Sequence, residues 1–108
     1  MTRRIPMEAC LALLKRFDPD NATPQQTIAT AAMALEGLLV EKALVDLNDG
    51  QFGALVDLLA WQGAAFFSGS TIRLWVNTGN FTLPPKTLDS FGPRGIAERK
   101  LWNMGNSL

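Results

Sequence analysis

Carboxylates are the first candidates for chemistry in this chain of 108 residues, because it contains no histidine. That removes the commonest general base, the commonest metal ligand and every Ser-His or Cys-His nucleophile arrangement. Asp18 and Asp20 could form an acid-base pair, but they flank Pro19 between two helical patterns, where aspartate is a turn and capping residue. Asp46, Asn48 and Asp57 fall at the first, third and twelfth positions of a calcium loop. The match is weak: the fifth position is Gly50, the sixth is Gln51 instead of glycine, and the twelfth is Asp rather than Glu. Gly92-Pro93-Arg94-Gly95 has neither the spacing nor the lysine of a phosphate loop. No catalytic residue, metal or cofactor is expected, and the chain reads as non-enzymatic. Cys10, the single cysteine, lies on the apolar face of a helical pattern and reads as a small buried hydrophobe.

Binding is the remaining chemistry, and the three tryptophans carry it. Trp61, Trp75 and Trp102 each fall out of phase with the apolar stripe of their own segment, and exposed aromatics in a small domain mark interface anchors. Trp61 lies opposite Phe52 on the helical wheel, beside Asp57 and with Leu58 at its margin. A tryptophan one turn from a carboxylate suits the centre of a protein interface.

The elements that must position these residues follow from periodicity. Met7, Cys10, Leu11, Leu14 and Phe17 form a helical stripe that opens at Ile5-Pro6 and stops at Asp18-Pro19. Thr23-Pro24-Gln25-Gln26 combines a cap, a proline in the first turn and a glutamine able to reach back. The stripe Ile28, Ala31, Ala32, Leu35, Leu39 follows, then changes phase near Gly37 to Val40, Ala43, Leu44 and Leu47. Asn48 caps a third helix whose broad apolar face runs from Phe52 through Leu55, Val56, Leu59 and Ala60 to Gly63, Phe66 and Phe67. Thr71 to Val76 alternates in β-favouring residues, Asn77 to Asn80 supplies turn chemistry, and Phe81 to Leu83 resumes. These predict an antiparallel β-hairpin over residues 71–83. Pro84-Pro85 stops it, an irregular crossing follows, and Ile96, Ala97, Leu101 and Met104 predict a last helix with Trp102 outward. The expected fold is α+β: one domain over residues 1–108, with four to five short helices and one hairpin.

The charges sum to zero but are segregated. Residues 18–57 carry −6, whereas residues 1–17 and 58–108 carry +3 each. The neutral expectation is that the basic ends fold back on the acidic middle; the functional one is that Glu41, Asp46 and Asp49 present an acidic surface to a basic partner. A helix pair followed by a hairpin also outlines a winged helix. The segment where its recognition helix would lie carries Asp57 and no cation, so direct nucleic-acid binding is not expected. Glu8 and Lys15-Arg16 break the first apolar stretch too early for a signal peptide, and no run reaches the length of a membrane span. The sequence therefore predicts a small cytoplasmic protein that binds another protein, with a basic surface on that partner matched by Glu41, Asp46 and Asp49 and with Asp57, Leu58, Trp61, Trp75 and Trp102 as anchors. A phage or mobile-element inhibitor of a host nucleic-acid-handling complex is one specific form. A winged-helix regulator and a structural subunit stable as a homo-oligomer are the alternatives.

Overall fold

A helix that is apolar on every side must be enclosed on every side, and residues 49–62 behave that way. In the computed structural model, which describes residues 7–106, Phe52, Ala54, Leu55, Val56, Leu58 and Leu59 of this helix are all buried. It is α4 (Asp49–Gln62), preceded by α1 (Met7–Phe17), α2 (Pro24–Leu38) and α3 (Glu41–Asp46). After it come α5 (Ala64–Ser68), α6 (Thr71–Asn77), α7 (Pro84–Leu88), a 3-10 turn (Asp89–Phe91) and α8 (Pro93–Met104). α1, α2 and α8 all pack against α4, while α3 packs on α6 and α7 on α8. Arg3, Arg4 and the expected helix opening at Ile5-Pro6 lie outside the described residues.

The first half follows its sequence signals closely. α1 ends at Phe17, and α2 buries Ile28, Ala31, Ala32 and Leu35 with Leu39 at its end. The expected cap differs in detail: Thr23 makes no side-chain cap bond, and Asn21 instead accepts from the Thr23 amide and the Thr27 hydroxyl. The phase change near Gly37 is a true break, with Leu39 extended between α2 and α3. Asn48 and Gln51 form a reciprocal capping box at the start of α4.

The expected α+β fold is overturned. Among the described residues the chain is all-helical with no strand, and eight α-helices replace the four to five expected. Residues 71–83 are α6, a turn through Gly79 and the approach to α7, not a hairpin. Ile72 and Val76, four apart, face inward in a helix as they would in a strand, so a segment this short carries both patterns. Leu74 separates them: a strand would align it with Ile72 and Val76, but it is 60% exposed. The Ser70 hydroxyl accepts from the Arg73 amide and starts the helix. Arg73 and Asn77 then donate to the Leu38 carbonyl at 2.8 and 3.2 Å, tying α6 to the end of α2. Pro84-Pro85, read as a strand stop, occupies the first turn of α7, where a missing amide proton costs nothing.

Two further corrections reshape the surface. Gly63, at φ 93°, divides the expected long third helix into α4 and α5 and turns Phe66 outward to 40% exposure, leaving Phe67 buried. α8 is rotated from its expected phase: Arg94, Gly95, Glu98, Leu101 and Trp102 face inward, and Ile96 and Met104 are exposed.

Candidate functional site

The rotation of α8 brings two polar pairs together, each spaced four residues along its helix. Asp57 and Trp61 on α4 meet Arg94 and Glu98 on α8. Arg94 donates from Nε and Nη2 to the two Asp57 oxygens at 3.0 and 2.9 Å, a forked pair buried on both sides. The Trp61 indole Nε1–H donates to Glu98 Oε2 at 2.9 Å. Oε1 of Glu98, a residue with 0% exposure, is the buried side-chain oxygen among the described residues that has no hydrogen-bond partner of ordinary length and angle.

Burial, and then the adjoining Asp57 carboxylate, push the Glu98 carboxyl far above the usual carboxylate range, while Trp61 and Arg94 only partly oppose the shift. Cys10 of α1 closes the other side, its Sγ donating to the Gly53 carbonyl at 3.5 Å. Burial, with Asp57 and Glu98 nearby, pushes this thiol up to about 12, so it is inert rather than nucleophilic.

Above this buried cluster lies a line of aromatic rings. Phe66 meets Phe91 edge to face at 5.8 Å between centroids, and Phe91 meets Trp61 in the same way at 6.5 Å. The Arg94 guanidinium lies 5.3 Å from the Trp61 ring centroid and 5.9 Å from that of Phe17. Arg16 covers Phe17 at 4.7 Å. Trp61, Phe17 and Phe91 are half-buried and Phe66 is exposed, so all four rings keep part of their surface in water.

The expected site residues are therefore dispersed. Of the expected anchors, Trp61 lies in the aromatic line, half-buried and hydrogen-bonded rather than free. Asp57 and Leu58 are buried, the first in an ion pair, and Trp102 is buried at 4% exposure under Phe81, contrary to the outward placement expected for them. On α4, the supposed outer face at Asp57 is the one α8 covers. Trp75 is half-buried on α6, packed against the core. Glu41 and Asp46 are exposed on α3, where Asp46 pairs with Lys42 at 3.2 Å, and Asp49 is half-buried in the first turn of α4. The acidic residues thus belong to a different region from Trp61. Asn48 and Asp57 are committed to capping and to Arg94, so the calcium-loop positions do not converge.

Phe17, Phe66, Phe91, Arg94 and Glu98 were missed by the sequence reading. One signal was available: Asp57 is the only charged residue between Asp49 and Arg73, and a lone charge on an apolar helix needs a buried partner. An open groove of about 390 Å³ between α2 and α4 is lined by Thr23, Thr27, Thr30, Ala34 and Ala60 and offers hydroxyls without a charged group. Among the described residues no helix is long and apolar enough to cross a membrane. Comparison with protein-family models, with curated proteins and with solved structures finds no match, and the function rests on this geometry.

Proposed function

We propose that the chain is a non-enzymatic protein-binding module whose contact face is the aromatic line Phe17, Trp61, Phe91 and Phe66. The observation that carries this reading is the run of four partly exposed rings over a buried ion pair. Tryptophan and arginine at the centre of a pre-ordered apolar patch are what interface hot spots are made of. The carboxylates of Glu41 and Asp46 on α3 act at longer range, steering a basic partner rather than anchoring it. A partner that handles nucleic acid, inhibited in the cytoplasm by stoichiometric capture, fits the −6 charge of residues 18–57. The winged-helix alternative loses its wing, because residues 71–83 contain α6.

The test is retention of a partner by the full chain and by two surface variants, Phe66→Ser in the line and Leu74→Ser outside it. Loss of retention in the first alone, at an unchanged denaturation midpoint, supports the face. Equal retention by both variants would remove it, and self-association by light scattering that Phe66→Ser abolishes would make a second copy the partner.

A further inference from the structure

Glu98 sits where its charge has no support. The Arg94 guanidinium directs both of its side-chain bonds to Asp57, and Glu98 receives one bond, from Trp61 to Oε2. Its other oxygen is buried and receives no hydrogen bond, while the Asp57 carboxylate lies against the Glu98 carboxyl. The remaining neighbours do not supply a cation. From α4 the facing group is Asp57, itself an anion; from α1 it is the Cys10 thiol; from α8 it is Arg94, already engaged. On the α7 side Lys86 and Asp89 are exposed, and Asp89 pairs with Arg99 at 2.6 Å. A carboxylate here would leave two anions on one guanidinium in a dry core, and neutralisation is the ordinary escape from that arrangement.

We propose that Glu98 is a protonated positioning residue: its proton, on Oε1, lets α8 close on α4 beside Asp57, and losing that proton to solvent separates the two helices and with them the Trp61 contact. The hydrogen bond from Trp61 occupies Oε2, which leaves Oε1 to carry the proton on the side of Asp57. The raised affinity of the Glu98 carboxyl for its proton agrees with this placement. The aromatic face is thereby coupled to pH although the chain has no histidine. The coupling to binding rests on the proposed function; the protonation and the Trp61 movement do not.

The experiment is a pH titration by NMR of the full chain labelled at the glutamate side-chain carboxyl carbon and at the tryptophan indole nitrogen. At neutral pH one of the four glutamate carbons, Glu98, should resonate as the protonated acid and the others as carboxylates. It should titrate only on the alkaline side, and the Trp61 indole proton should shift and lose exchange protection in the same step. Glu98→Gln, which keeps the acceptor and stays neutral, should abolish that step while the Trp61 proton remains in its bonded position. A Glu98 carbon that titrates together with the others overturns the proposal, as does a Trp61 shift that survives in Glu98→Gln. Should that variant fail to fold, the wild-type carbon titration decides alone. Neither resonance requires a partner, so failure of the binding face and failure of the proton placement are read separately.

Discussion

At the scale of single residues the buried Asp57-Arg94 pair is the feature with the largest energetic leverage. An ion pair removed from water contributes modest net stability, but deleting one member strands the other. Arg94→Ala should therefore destabilise the fold by about 3–5 kcal/mol. Replacing both members, as in Asp57→Leu with Arg94→Met, should recover most of that loss, because a well-packed apolar pair removes the uncompensated charge. Urea denaturation of the two variants checks this, and a double variant no more stable than Arg94→Ala would show that the pair is irreplaceable. Trp61→Ala belongs to the same cluster. It would remove the one hydrogen bond to Glu98 as well as packing surface, so it is expected to cost stability and is a poor test of binding by itself. Phe66, at 40% exposure, separates the two roles.

At the scale of elements, close approach and helix phase decide what the sequence could reveal. A Cβ on Gly95 would collide with the Leu88 carbonyl and meet the Phe91 Cβ at 2.9 Å, whereas one on Gly37 in α2 would meet nothing within 4 Å. Gly95→Ala should cost about 1–3 kcal/mol by forcing α8 off α7, and Gly37→Ala should gain about 0.5–1 kcal/mol from helix propensity. Equal denaturation midpoints for the two variants would contradict the packing described. The helical reading of residues 71–77 is tested by Leu74→Gln: stability should change by less than about 0.5 kcal/mol for a solvent-facing helical position, where an inward hairpin residue would lose about 2 kcal/mol or more. Caps and long stripes made α1, α2 and α4 legible, because eleven or more residues sample a period several times. α6 has seven residues, over which Ile72 and Val76 satisfy two periods at once. α8 was misphased because its inward face holds Arg94 and Glu98, and an apolar pattern cannot anticipate charges that are buried with partners from another helix.

At the scale of the whole molecule, the neutral net charge conceals an unusual dependence of stability on pH. A chain without histidine has no ordinary side chain titrating near neutrality, so a slope there must come from a displaced group. Glu98 is that group: its proton affinity is raised in the folded state, so the native chain holds a proton that the unfolded chain releases. The unfolded state then binds fewer protons, and unfolding free energy falls as pH rises. The contribution is complete below about pH 4, where both states are protonated, and is lost progressively above it at up to about 1.4 kcal/mol per pH unit. Cys10 has the same sign but begins only where an unfolded thiol ionises, so measurements kept below about pH 8 isolate Glu98. Wild-type chain should lose about 3 kcal/mol of unfolding free energy between about pH 5.5 and pH 8, an upper figure for full separation of the two states. Glu98→Gln, neutral throughout, should show a nearly flat profile across that window and be more stable than wild type at its alkaline end. Stability that rises with pH in the wild type, or an identical slope in Glu98→Gln, would place the charge of Glu98 elsewhere than in this core.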